Sequence, residues 1–443
     1  MRSSLVHLFV LSVLVLPVGC VDIGAHDQDP TAARDQASGD KQPDVVAKAS
    51  GAISVYVAPV FGPADLTTND LQLALDFVSQ PSLVDDTVWI ELGPGLYRND
   101  HSCLTVAQED WRTDCSPIAS RTAFLLAGRR APTYIYGTTG DPQDVVLWGK
   151  VPSDVLGDAS RAFHGLTLDD NTSLVEISDL SIASDGGWIG NGIGDASLAV
   201  IDSRADLRNT IVLANKSNSN CLFGNTNGDQ EGILADGEDT YLRVFDSAVG
   251  GNLHTGVMVL NSARVLVQSS LVRGNGWVSQ FQSGNKGHGI TEFHNASAAA
   301  CLGSHTELDV DDSQVIYNSG AGVYIRGEFV NNRQDIDHND ITNNHVGLQI
   351  DGGSWGGAPS TTTFTNAHVY NTYNRLASNT GGNVAIDYGE IIGSGWYHAW
   401  GNSATAPGGD GPVDGSLWNK LLAVKDLLAT VPRACTATGP ICQ

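Results

Sequence analysis

The 443-residue sequence predicts an all-β solenoid, a stack of short parallel coils, and three observations predict it. Glycine is abundant, at 50 residues, and charged residues are only 16%, a balance that favours turn-rich β structure over solvated helices. One phrase recurs between Leu174 and Gly395: apolar-x-apolar, a polar pair, then x-apolar-x-x-Asn, often followed by Gly-apolar-x-apolar. Five copies place an asparagine three residues after the same apolar position, at Asn215, Asn252, Asn275, Asn318 and Asn344. Identical amides hydrogen-bond up a ladder only when parallel rungs superpose, so the column selects stacked coils over an antiparallel sandwich.

Composition also excludes functions. Twenty-four basic against 49 acidic side chains leave a net charge of -25, the wrong sign for nucleic acid or for adhesion to an anionic membrane. Hydrophobic residues, at 41%, supply a packed core and rule out wholesale disorder. There is no His-Glu-x-x-His, no Gly-x-Ser-x-Gly and no phosphate loop. Gly190-Asn191-Gly192-Ile193-Gly194 is followed by no helical pattern, so it is no dinucleotide turn.

Residues 1–20 follow a signal-peptide plan: Arg2, an apolar run from Leu5 to Val18, then Gly19-Cys20. The run is too short for a spanning helix, which needs ~20 residues. Leu16-Pro17-Val18-Gly19-Cys20 resembles a bacterial lipobox, with Pro17 where such motifs usually carry Leu. That resemblance implies lipidation of Cys20 and a cell-surface or outer-membrane place; plain secretion is the alternative. Residues 21–50 lack apolar periodicity and read as a flexible tether. Six further cysteines, Cys103, Cys115, Cys221, Cys301, Cys435 and Cys442, suit three disulfides of open connectivity in an exported chain.

Residues 51–415 carry the solenoid. Val55-Tyr56-Val57 and Val88 to Tyr97 read as strands around an amphipathic stretch, Asn69 to Val78, placed to shield the first rung. Strong copies of the phrase follow at Leu242-Arg243-Val244, Leu308-Asp309-Val310 and Ile336, with weaker ones centred on Ile177, Leu207, Val267, Phe364 and Ile386. In 416–443, an amphipathic helix bearing Leu417, Leu421, Val424 and Leu428 reads as an end cap or as a helix packed along the solenoid. A disulfide-closed tail follows.

Over roughly residues 52–400 the chain resembles the right-handed parallel β-helix, or pectin-lyase-like, proteins. The resemblance implies an all-β, right-handed parallel β-helix with short N- and C-terminal helices as caps. It specifies function less well than fold. Outward residues of successive coils form columns, and ligands of solenoids lie along such faces. Asp309, Asp311, Asp335 and Asp337, with Asp387 two copies on, flank the repeat's central apolar residue. Stacked at about 5 Å, these carboxylates need a bound cation, a neighbouring Arg or Lys, or a raised pKa. Calcium is the natural cation for such oxygens, and a solvated acidic face is the alternative.

A second region runs from Val272 through Trp277 and Phe281 to Gly287-His288-Gly289-Ile290-Thr291-Glu292, and reaches Tyr324, Arg326 and Glu328 one copy later. Its aromatics suit stacking on sugar rings. Two carbohydrate-active branches of the fold are similar here. In galacturonase-type hydrolases a Gly-His-Gly follows paired acids and precedes Arg-x-Lys; this chain has the Gly-His-Gly and Arg326 but no Asp-Asp between Asp246 and Gly287. In the polysaccharide lyases a Lys, Arg or His removes the proton beside a uronate carboxylate while calcium stabilises the charge. That likeness implies Lys286 or Arg326 as base, His288 as auxiliary, Trp277, Tyr324 and Glu328 on substrate, and the aspartates on calcium. Glu292 aligns with inward Val259 and Ile325, so either it is buried or the register slips there. The expected partner is a polysaccharide, with membrane contact only through a lipid at Cys20. A non-catalytic surface scaffold or adhesin is the reading from another class, and enzyme status stays open.

Overall fold

The computed structural model describes residues 53–57, 70–99, 122–149, 164–184, 195–214, 230–252, 254–276, 287–293, 307–326, 329–330, 333–351, 363–365, 368–387, 390–392, 397–405 and 415–430. The chain falls into two units, Met1–Ile53 and Ser54–Gln443, and the second is the solenoid. Cys20, the six other cysteines, the tether and Asn215 lie outside the described residues.

The chain builds a parallel β-helix. Each coil visits three parallel sheets in turn, as in Glu307–Asp311, Gln314–Ile316 and Ala321–Arg326, before Arg333–Asp337 begins the next. The first sheet has eleven strands and the second and third have nine each; a three-stranded sheet, Phe329–Val330, Thr363–Thr365 and Glu390–Ile392, stands beside them. The strands are short because each is bent off at a corner. At the first corner a single residue turns left-handed: Asp179, Asn209, Asp246, Ser269, Asp312, His338 and Tyr373, with φ between 44° and 57°. Asn and Asp tolerate that conformation best among side-chain-bearing residues.

Two polar ladders then satisfy the backbone that the corners leave unpaired. Behind the first corner, the backbone N–H of Ser247 donates to Ser270 Oγ (3.2 Å), Ser270 to Ser313 Oγ (3.1 Å), Ser313 to Asn339 Oδ1 (2.8 Å) and Asn339 to Asn374 Oδ1 (2.7 Å). The second corner holds the asparagine column: Asn252 Nδ2 donates to Asn275, Asn275 to Asn318 and Asn318 to Asn344, each at 2.9 Å. Asn379 extends it by accepting the Asn344 backbone N–H.

Register follows the apolar phrase. Ile177, Leu207, Val244, Val267, Val310 and Ile336 pair in one buried inward column. Two weaker copies belong elsewhere: Phe364 lies in the small sheet and Ile386, with Asp387, in the third sheet. The coil after Ile336 is His368–Thr372, where the inward position is Asn371. A buried amide in place of an aliphatic side chain hides that coil from hydrophobic patterning.

Helix α1, Asp70–Val78, buries Leu71, Leu75 and Val78 at the first coil. Its Gln72 carboxamide bonds both the N–H and C=O of Leu125, on the strand that edges the third sheet, and so supplies the missing neighbour. Arg129, fully buried, ties the end of α1 to the coil through the carbonyls of Val78, Leu83 and Asp86. Of the two placements open to the C-terminal helix, α2 (Ser416–Thr430) takes the flank. Leu417, Leu421, Val424 and Leu428 pack on Trp148, Ile211, Leu213 and Leu271 of the second sheet. Arg273 is clamped between the rings of Trp418 (4.3 Å) and Tyr317 (4.8 Å).

Replacing Asn318 by alanine strands the buried Asn275 donors and breaks the column at its centre. The expected loss is about 2–3 kcal/mol in chemical denaturation, with a smaller loss for Asn379→Ala at the column's half-buried end. Equal effects at both positions would remove the column from the stability of the fold.

Candidate functional site

Burial decides which face is open. Helix α2 covers the second sheet, and the outward residues Ala199, Leu234, Met258, Thr291 and Tyr324 of the third are buried. Among the described residues, the outward face of the first sheet carries a run of charges and rings, most of them half-buried and Arg208 and Trp400 exposed. It spans eleven coils, about 50 Å at ~4.8 Å per strand.

Pairing register sorts this face into columns. The middle column runs Trp89, Tyr134, Glu176, Asp206, Arg243, Leu266, Asp309, Asp335, Tyr370 and His398. Beside it run Glu91, Tyr136, Ser178, Arg208, Phe245, Gln268, Asp311, Asp337, Thr372 and Trp400. Rings therefore crowd both ends, and most of the charges fall between, with Phe245, Leu266 and Gln268 among them.

At the N-terminal end Trp89 and Tyr134 stack with centroids 5.3 Å apart. Burial, aided by a hydrogen bond to the Glu91 carboxylate and by its charge, pushes the Tyr136 phenol up to about 12. Next comes an ion-pair lattice. Asp206 accepts from Arg243 Nε and Nη2 at 2.6 Å each and from Arg208 at 3.2 Å. Arg208 lies over the Phe245 ring at 4.5 Å. Desolvation raises the Glu176 pKa, Arg208 opposes the rise, and Asp206 adds to it.

The acidic stretch has its counter-charges built in. Asp309 pairs in register with Asp335, and Asp311 with Asp337, so the expected carboxylate stack forms. Arg333 Nη2 and Nε hold Asp335 Oδ2 at 2.5 and 3.0 Å. His338 Nδ1 lies 3.0 Å from Asp337 Oδ2 and 4.0 Å from Asp311 Oδ1, while Thr372 and Gln268 donate to the other oxygens of these two aspartates. Ligand atoms of Asp311, Asp337 and His338 all lie within 4.8 Å of one another. Asp387, expected in this column, instead pairs with Asp351 on the third sheet.

The second predicted region does not join this face. His288 is buried, its Nδ1 accepting the Ala321 N–H at 2.9 Å and its ring 4.4 Å from that of the buried Tyr324. His164 makes the same contact with the Ala196 N–H at 3.1 Å, so the third sheet uses histidine more than once to close its entry corner. Arg326 pairs with Phe293 and Asp351 on the third sheet, away from the aspartates of the first. Lys286, Trp277 and Glu328 lie outside the described residues. The single face uniting base and cation that the lyase likeness implies is therefore not assembled by Arg326 and His288. Glu292 is buried with its register intact between Val259 and Ile325, and accepts from Gln334 Nε2 at 3.1 Å.

Sequence reasoning missed the C-terminal ring cluster. His368, Tyr370, His398 and Trp400 crowd the last two coils, with Tyr370 and His398 centroids 4.7 Å apart and Trp400 edge-on to Tyr370 at 6.2 Å. Following the outward positions one coil further would have found it, had the coil at Asn371 been recognised.

No family model and no curated protein matches the chain. Among solved structures, a pectate lyase shares 12% identity over 80% of this chain and 81% of its own, with a TM-score of 0.39. A pectin methylesterase from Aspergillus niger shares 10% over 82% and 89%, with a TM-score of 0.33. An alginate lyase from Paenibacillus sp. shares 12% over 80% and 99%, with a TM-score of 0.26. Likenesses this distant say nothing about the site. What fold and face define together is a parallel β-helix with one long ring- and charge-lined surface.

The Tyr136 shift makes a pH prediction. A raised folded-state pKa contributes stability that is complete below the phenol's ordinary value of 10.0 and is lost as pH rises towards about 12. Tyr134, Tyr241 and Tyr397 are raised as well, so ultraviolet titration of the phenolates should show a late-titrating group from which one tyrosine moves down in Glu91→Gln; no change in that variant would detach Tyr136 from Glu91.

Proposed function

We propose that the protein is an exported β-helix that holds a polysaccharide along the outward face of its first sheet. The observation that carries this reading is the face itself: among the described residues it is about 50 Å long, with rings towards both ends and charges between. Aromatic faces pack on the apolar sides of sugar rings, and fixed carboxylates and guanidinia take up hydroxyls. Export rests on Arg2 and the apolar run to Val18, and a lipid at Cys20 would keep the chain at the surface.

Affinity electrophoresis through gels containing neutral and acidic polymers tests the binding. Tyr370→Ala and Trp400→Ala should each weaken retardation severalfold while leaving the melting midpoint within a few degrees. Retention by no polymer would hand the face to the scaffold or adhesin reading. Cleavage is the second reading. Arg333 opens the strand that ends at Asp337, so a guanidinium, held by Asp335, and the cation-binding groups Asp311, Asp337 and His338 share one face, two of the parts that elimination beside a uronate carboxylate uses. The same polymers, followed in solution for the ultraviolet absorbance of an unsaturated product, separate lyase from binder.

Asp311, Asp337 and His338 are the residues that would hold a divalent cation. With an imidazole among the donors and Asp335 drawn to Arg333, the set suits manganese or zinc better than the all-oxygen calcium site expected from the four aspartates. Bound there, the ion would neutralise the acidic stretch against a carboxylated sugar. Melting of the full chain should rise by a few degrees with manganese and fall back with chelator, since an ion bound only to the folded state stabilises it. Asp337→Asn should abolish the rise. A midpoint indifferent to manganese, zinc and calcium alike removes the ion from this reading.

A further inference from the structure

Two histidines of the last coils meet nitrogen to nitrogen. His368 opens the strand His368–Thr372 and His398 lies on Tyr397–Trp400, one coil later. His398 pairs in register with Tyr370, so the two histidines face each other across a diagonal. His368 Nδ1 and His398 Nε2 are 3.2 Å apart, with ring centroids at 5.5 Å and planes 15° apart. At that separation one nitrogen donates and the other accepts a single proton. It is also the separation of two ligands on one metal ion. Nitrogens about 2.0–2.1 Å from a common ion stand about 3.3 Å apart in a tetrahedral site and about 2.9 Å apart as neighbours in a square one. The observed contact falls between these limits. Seating an ion therefore needs no backbone movement, only a turn of each ring about χ2, a broad torsion.

Packing sets the orientation of the rings. Tyr370 lies near-parallel to both imidazoles, with centroids 6.1 Å from His368 and 4.7 Å from His398 and planes 17° and 14° apart. Trp400 stands edge-on to Tyr370 at 6.2 Å. The nearest fixed cation is already engaged: Arg333 pairs in register with His368, but its guanidinium is held by Asp335 at 2.5 Å. A chain of net charge -25 favours the approach of a cation to this surface.

We infer that His368 and His398 form a two-imidazole site for a late transition-metal ion of the copper and zinc class, whose other positions stay open to water or a small ligand. Loading releases no net proton. The proton between the rings leaves the shared nitrogen, and water returns one to the outer nitrogen of the same ring, so both inner lone pairs face the ion. Imidazole nitrogen suits these ions, whereas calcium and magnesium prefer oxygen. The site is separate from the one at Asp311, Asp337 and His338. Thr372, which donates to Asp337, stands at the far end of the strand from His368, about 13 Å away at ~3.3 Å per residue. The inference does not depend on the polysaccharide reading.

The test is titration of the untagged full chain with copper sulfate at neutral pH, read by electron paramagnetic resonance and by tryptophan emission. The first equivalent should bind with the nitrogen splitting of two imidazoles and should quench Trp400. Trp400→Phe should keep the resonance signal and lose part of the quenching. His398→Gln should weaken copper binding roughly tenfold or more, since a single imidazole is left to hold the ion. His398 lies on the last strand of the first sheet, so this variant leaves the other strands paired, and an unchanged circular dichroism spectrum checks it. In His368→Gln/His398→Gln the two-nitrogen signal should disappear, whereas Asp337→Asn and millimolar calcium should leave it in place. The proposal is overturned if the wild type holds no copper, or if both histidine variants bind it as the wild type does. It is equally overturned if Asp337→Asn loses the signal, if calcium displaces the copper, or if Trp400→Phe is quenched like the wild type.

Discussion

Vertical register is the constraint on which everything else in this molecule depends. The first two corners of a coil each turn through one left-handed residue and leave a backbone N–H that no strand can take. The acceptor comes from the coil above, from Ser270, Ser313, Asn339 and Asn374 at one corner and Asn275, Asn318, Asn344 and Asn379 at the next. A slip of one residue would orphan these donors and exchange inward for outward side chains along the strand. Corner chemistry and hydrophobic alternation thus enforce the same alignment from two sides, which is why outward columns are geometric objects that a ligand could read.

How much of this is legible in the sequence depends on whether a residue type is unique to its place. The asparagine column is, because its corner carries asparagine in five successive coils, Asn252, Asn275, Asn318, Asn344 and Asn379. The serine and asparagine ladder behind the first corner is not: Thr210, Ser247, Ser270 and Asn339 mix types, and the eye sees only a polar pair. The apolar-x-apolar phrase occurs in both the first and third strands of a coil, so Ile386 and Asp387 imitate a first-sheet copy while the true coil hides behind Asn371. The same ambiguity joined His288 and Arg326 to the aspartates along the chain, although in space they stand on different sheets. Carboxylates spaced by coil could be stacked from sequence alone. Their counter-ions could not, because Arg333 reaches back to Asp335 along its own strand and His338 sits in a corner.

A chain of net charge -25 has to keep its stacked acids from pushing the coils apart. The outward face does so locally, in units small enough to be read off neighbouring coils: Asp206 between Arg208 and Arg243, Asp335 on Arg333, Asp337 on His338. Such pairs gain less as surface salt bridges than they avoid as unrelieved repulsion. They also fix where charge is available. A guanidinium already bound to a carboxylate recruits a carboxylated ligand poorly.

The lumen explains how the C-terminal coils keep register after losing apolar filling. Gln334 reaches from the first sheet to the Glu292 carboxylate on the third, and one coil later Asn371 donates to the Tyr397 oxygen while accepting from Asn374. Burial pushes the Tyr397 phenol up, with the Asn371 bond opposing. A buried amide or carboxylate is tolerated only with its partners in place, so each contact penalises displacement more sharply than a leucine would. Aliphatic columns hold a coil by area and permit sliding; buried hydrogen bonds, across the lumen at Gln334 and between neighbouring coils at Asn371, hold it at one position. The coils beneath Asp335, Tyr370, His398 and Trp400 are therefore pinned from inside, and the outward groups they carry inherit that fixed spacing.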